Sequence, residues 1–230
     1  MFPMTSNTLR PLALIAAMFL AIVFLPSAFA LDRSDILLDL VSNCVDPSPK
    51  NYCQLCRAPR NDAGCGEVLE CKKSTDVWAL TDRFTAIRDI KMCGCPSGFV
   101  HGLAMPVYPV TGVEDPLRPE GIWQFAWDNA LRRIEPESIA LVVNPRQHRS
   151  QNQLHVHLLR LTSDARRRLE QEAPGHVANL DHVWDTALKI ALAKGLDDYG
   201  VLVARSEQGD FMIVVTSYSP EGAFTQWSCY

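Results

Sequence analysis

Eight cysteines constrain this chain more than any other feature. Cys44, Cys53, Cys56, Cys65, Cys71, Cys93 and Cys95 crowd one stretch, and Cys229 stands far away beside the last residue. All of them follow an N-terminal segment that reads as a secretory signal. Arg10 precedes Leu12–Leu25, a run without a polar side chain, and Ala28-Phe29-Ala30 fits the small-x-small cleavage rule. An even number of cysteines in an exported chain implies disulfides. Residues 44–95 are therefore expected to be stapled and rich in loops. The rival reading is a zinc site built from Cys53-x-x-Cys56 and Cys93-x-Cys95, whose spacings suit metal ligands. An oxidising compartment favours bridges over free thiolates. Their connectivity is not readable, because eight cysteines allow 105 pairings.

The apolar run is shorter than the roughly 18–20 residues needed to span a bilayer. The uncharged stretch nevertheless continues from Pro11 to Leu31. Residues 1–30 are thus either a cleaved signal or a retained signal anchor, and either one puts the remainder outside the cytoplasm. Cleavage after Ala30 removes Arg10 and no acid, which leaves 21 basic against 26 acidic residues. Such a chain has no nucleic-acid footprint and no bulk attraction to anionic membranes. Any grip on a lipid must come from a local pocket.

The chemistry concentrates in Ser150–Arg160. Side chains alternate across a strand, so Gln153, His155, His157 and Leu159 share one face, while Leu154, Val156 and Leu158 take the other, core-facing side. Two imidazoles side by side after a loop carrying Arg146 and Arg149 point to phosphate chemistry. Neutral imidazole serves as nucleophile or base, and guanidinium grips phosphate oxygens in pairs. The bland alternative is a pair of solvent-facing histidines on an edge strand. His101, His148, His176 and His182 have no visible partner pattern and read as structural or surface residues. Around this strand the periodicities predict helices at 34–41, 122–133, 162–172 and 180–193, and strands at 77–80, 99–107, 139–143, 154–161, 199–205 and 211–217. Helices between strand pairs suggest an α+β fold with a mainly antiparallel sheet.

Asn144, Gln151 and His155-Val-His157 resemble the histidine-triad superfamily of nucleotide hydrolases and transferases. Within it the chain is most similar to the CDP-diacylglycerol pyrophosphatases of the bacterial envelope. Leu103-Ala-Met-Pro-Val-Tyr108, Thr111-Gly-Val-Glu-Asp-Pro116, Trp123-Gln-Phe-Ala-Trp127, Val143-Asn-Pro-Arg146 and Tyr199-Gly-Val-Leu-Val203 carry the same likeness. It spans about Phe99 to Thr216, and the ordered set is far more specific than His-x-His alone. The resemblance implies a twisted antiparallel sheet of histidine-triad type with flanking helices at 97–230, behind a disulfide-linked, Cys-rich extension at 31–96.

The resemblance also implies a reaction. A neutral imidazole attacks the phosphorus bearing the nucleoside of CDP-diacylglycerol, phosphatidate leaves, and water releases CMP from a cytidylyl–histidine intermediate. No cofactor and no catalytic metal are expected, and the partners are the liponucleotide and the inner-membrane surface, on its periplasmic side. Family members can pair into homodimers, a point the sequence leaves open. In the family a Gln stands six residues before the nucleophile, the middle histidine of a row of three. Gln151 stands six before His157, which favours His157 as nucleophile and His155 as its neighbour. The other register puts Gln153 first, His155 in the middle and His157 last. Asn144, Gln151, Arg149 and Arg146 are the candidate substrate and phosphate ligands. The competing functions are hydrolysis or transfer on a soluble nucleotide, and an exported metal-binding module without enzyme activity.

Overall fold

A computed structural model describes Met1 and residues 34–230, so the expected signal segment lies outside the described residues. The strands are β1 (Val77–Leu80), β2 (Phe84–Arg88), β3 (Gly102–Pro106), β4 (Ile139–Val143), β5 (Val156–Arg160), β6 (Gly175–Val177), β7 (Gly200–Arg205) and β8 (Phe211–Thr216). They form one sheet in the order β1-β2-β3-β5-β4-β7-β8-β6, with every neighbouring pair antiparallel. The helices are α1 (Ile36–Asn43), α2 (Tyr52–Leu55), α3 (Ile122–Ala130), α4 (Ala165–Gln171), α5 (Val183–Lys194) and α6 (Pro220–Phe224). The fold is α+β, as the alternation of periods implied. No helix among the described residues is long and apolar enough to cross a membrane.

Strand alternation divides the core into layers. Ala104, Leu141, Val156, Leu158, Val203 and Ile213 face α3 and α5, where Trp123 packs on Trp184 with ring centroids 4.7 Å apart. Each fully buried large apolar side chain here contributes about 1.5–3 kcal/mol relative to exposure. The opposite face is covered in two separate patches. Under α1, Leu37 and Val41 meet Ile87, Leu103 and Met105. Under α4 and α6, Leu169 and Phe224 meet Val142, Leu202 and Val214. The histidine strand runs between these patches. His157 sits opposite Leu103 on β3 and opposite Val142 on β4. It therefore lies on an inner strand, which removes the edge-strand reading.

The sulfurs pair as Cys44–Cys56, Cys53–Cys65, Cys71–Cys93 and Cys95–Cys229, and no free cysteine remains among the described residues. The zinc alternative thereby loses its thiolate ligands. Three bridges close short loops of the extension. The fourth spans 134 residues and ties the C-terminal tail to the loop before β3. The extension is not loops alone, since β1 and β2 add two strands to the sheet beside β3. Gly195, in the left-handed conformation at φ 66°, ends α5.

Candidate active site

His155 lies one residue before β5, and its ring is held by its own chain. The backbone carbonyl of Gln153 accepts from Nδ1 of His155 at 2.7 Å. A carbonyl only accepts, so the proton is fixed on Nδ1 and the lone pair on Nε2. No hydrogen bond occupies that Nε2 among the described residues. The Gln153 side chain is turned away and buried, donating to the carbonyls of Pro106 and Tyr108 at 2.9 Å each. It thus locks the chain that leads into β5. Burial pushes the His155 pKa below its usual 6.5, against the hydrogen bond it donates to the Gln153 carbonyl and the charge of Glu221.

His157 points to the same side, with its ring centroid 4.8 Å from that of His155. Its environment is different. Nδ1 lies 2.9 Å from Nε2 of His101, and the Trp227 carbonyl lies 3.1 Å from Nδ1 of His101. Nε2 of His157 is buried without a hydrogen bond, 3.5 Å from Oε2 of Glu221. Burial drives His157 well below the ordinary histidine range, although Glu221 opposes that shift. His101 is shifted the same way by burial, against the pull of Asp89.

Glu221 comes from α6, near the C-terminus. It accepts from Asn144 Nδ2 at 2.6 Å, and Lys91 Nζ donates to it at 2.9 Å. Burial pushes its carboxyl up, but His157 and Lys91 outweigh burial and hold it down at about 2. Asn144 is used at both ends, since its Oδ1 accepts from Ser219 at 2.8 Å. Ser219 also caps α6 through Gly222 N–H.

His155, His157, Asn144, Gln151 and Arg149 all line one cavity of about 550 Å³, a volume within the usual range for ligand sites. Lys72, Arg88, Lys91 and Glu221 line it too. Gln151 is committed elsewhere, as its Oε1 accepts from Leu37 N–H at 3.2 Å at the start of α1. Arg149 is buried and makes a two-pronged pair with Glu114, leaving its Nε unpartnered. Arg146 does not line the cavity. Its backbone N–H donates to Asp198, in the loop away from the histidines. Asp89, His101 and His157 offer ligand atoms that all lie within 4.8 Å of one another. A cation there would displace the proton shared between His101 and His157 and would meet Lys91.

Sequence reasoning missed His101, Glu221, Lys91 and Trp227. His101 read as structural or surface, yet it is fully buried against His157. No local spacing links residues 101, 157, 221 and 227; only the topology brings them together. Residues 90–191 match the family model described as CDP-diacylglycerol pyrophosphatase, whose members are hydrolases.

Proposed function

We propose that this chain, carried into the CDP-diacylglycerol pyrophosphatases by residues 90–191, cleaves its liponucleotide through a covalent cytidylyl–histidine intermediate on His155. The observation that carries this reading is the Gln153 carbonyl on Nδ1 of His155, which leaves Nε2 with a lone pair at the cavity. That arrangement favours the register with His155 in the middle over the spacing-based preference for His157.

In the first step Nε2 of His155 bonds to the phosphorus bearing cytidine. The bond from that phosphorus to the bridging oxygen breaks, and phosphatidate leaves with the electron pair. The adduct ring carries both phosphorus and the Nδ1 proton, so it is cationic, and the Gln153 carbonyl stabilises it. In the second step water attacks the same phosphorus and gives a proton to Nε2 of His157, the P–N bond returns its pair to Nε2 of His155, and CMP departs with the oxygen of water. The balance is one water consumed and neutral imidazole restored, the general logic of covalent catalysis. Nε2 of His157, unprotonated beside the nucleophile, is the base for that water and passes its proton on to solvent. Lys72, Lys91 and Arg149 supply positive charge around the phosphates. We place the reaction in phospholipid turnover at the periplasmic face of the inner membrane, from the signal-like N-terminus and the lipid substrate.

Early quenching of a reaction with CDP-diacylglycerol tests the intermediate. Mass spectrometry of the peptide containing residues 150–160 should find a CMP adduct on His155. An adduct on His157 would restore the other register. Turnover with no adduct at any time would mean direct attack by water. Faster turnover of a soluble nucleotide diphosphate than of CDP-diacylglycerol would favour the soluble-nucleotide reading.

A further inference from the structure

The cavity has both polar and apolar lining residues. His155, His157, Asn144 and Arg149 are polar, as are the charged Lys72, Arg88, Asp89, Lys91 and Glu221. Ile36, Leu37, Leu40, Ile87, Ile90 and Leu103 are apolar, and Leu37, Ile87 and Leu103 pack together in one buried cluster with Leu40 against it. Four of these six residues, Ile36, Leu37, Leu40 and Ile87, precede the family-matched segment, and three of those lie on α1. The helix is fixed to the site loop rather than resting loosely on it. Ser34 N–H donates to the Ser150 carbonyl at 2.8 Å, and Asn152 N–H donates to the Ser34 carbonyl at 3.0 Å. With Leu37 N–H on Gln151, this makes the start of α1 a continuation of the loop that precedes the histidines.

At about 550 Å³ the cavity suits a nucleotide with its two phosphates. Two acyl chains cannot fit beside them and must leave through the mouth. Ile36 and Ile90 stand there with 65% and 60% of their surface exposed. Exposed aliphatic side chains continuous with a buried apolar wall are where methylenes gain most by leaving water.

We infer that α1 and Ile90 form the seat of the diacylglycerol part of the substrate, so that the disulfide-linked extension, rather than the histidine-bearing segment, selects for lipid. The inference rests on the proposed liponucleotide reaction. Glycerol sits where the polar wall gives way to Leu103 and Leu37, and the acyl chains run out over Ile36 and Ile90.

The test uses the full chain in mixed micelles, with CDP-dioleoylglycerol and with its deacylated counterpart CDP-glycerol. The variants are Ile36→Ser, Ile90→Ser and the double variant, chosen because exposed positions tolerate polar replacement. The readout is the ratio of kcat/KM for the two substrates, together with inhibition by CMP. The seat predicts that the double variant lowers this ratio at least tenfold. An unchanged ratio would overturn it. So would an equal loss on both substrates with weaker CMP inhibition, which would put the nucleoside on this wall. A wild-type protein that cleaves CDP-diacylglycerol with no preference over CDP-glycerol would remove the seat and leave the reaction standing. A wild-type protein inactive on both would fail the reaction itself.

Discussion

Nε2 of His101 and Nδ1 of His157 lie 2.9 Å apart, and the Trp227 carbonyl on the far side of His101 decides which of them holds the proton. That carbonyl requires a proton on Nδ1 of His101, so Nε2 of neutral His101 accepts and Nδ1 of His157 donates. Nε2 of His157 is left with a lone pair 3.5 Å from the Glu221 carboxylate. A proton taken up there is held by Glu221 and returned at little cost. His157 thus has a fixed tautomer and one nitrogen free to change its protonation, the arrangement a proton-handling imidazole needs.

Replacing His101 by Asn should leave the nucleophile in place and unseat its neighbour. Misplacement of a group near the reacting centre costs on the order of 10²-fold. The expected outcome for His101→Asn is a fall of about that size in kcat, with KM for CDP-diacylglycerol changing much less. A fall confined to KM would place His101 in substrate binding instead.

The pH profile reports the nucleophile. Burial lowers the His155 pKa below 6.5, and the Glu221 charge raises it part of the way back. The acid limb of kcat/KM should therefore have its midpoint below pH 6.5. Glu221→Gln removes the raising charge and should move that midpoint further down. An upward movement in this variant would contradict the assigned charges.

The same shifts make the fold sensitive to acid. His101, His155 and His157 are all lowered by burial. Below about pH 6.5 the unfolded chain binds protons that the folded chain refuses, so stability is complete above that pH and declines beneath it. Glu221 acts in the same direction from 4.5 down to about 2. Thermal unfolding at pH 7.5 and at pH 5 should show a lower midpoint at pH 5. The double variant His155→Gln with His157→Gln should narrow the gap.

Gly112 controls Arg149. A Cβ at position 112 would collide with Nη1 of Arg149, which is bound to Glu114. Gly112→Ala should push the guanidinium off its carboxylate and away from the cavity wall. The expected result is a several-fold rise in KM with the circular dichroism spectrum unchanged. Unaltered kinetics would show that Arg149 contributes nothing to binding.

The Cys95–Cys229 bridge closes the longest loop of the four. Loss of a native disulfide typically costs about 2–5 kcal/mol. Cys95→Ser with Cys229→Ser should show a destabilisation of that order in denaturant. It should also lower kcat in the manner of His101→Asn, because Trp227 is two residues from Cys229. Full activity in this pair would mean that the tail stays seated unaided.

Most strands of the sheet and the two imidazoles of the candidate site were legible because they obey local periods. Alternation along Leu154–Leu161 gave the strand, and Ile139–Val143 read as buried from its unbroken apolar run. Boundaries shifted where the chain bends before pairing begins. The strand expected at 99–107 starts only at Gly102, since Phe99 N–H turns back to the Pro96 carbonyl at 2.9 Å. β2 was not predicted, because Phe84–Arg88 is short and mixes Thr and Arg into its apolar pattern. Arg149 was found from charge and position and Asn144 from the family resemblance, but their partners Glu114 and Glu221 were not. Those pairs join residues 35 and 77 positions apart, and no local rule reaches that far.

β5 is walled by both ends of the chain, with α1 on one side and α6 and Trp227 on the other. A fragment trimmed to residues 90–191 would keep His155 and His157 and lose Glu221, the Trp227 carbonyl and α1. The matched segment carries the two imidazoles, and the segments flanking it supply the groups that surround them. The two imidazoles are framed only where residues 221–227 have joined the sheet.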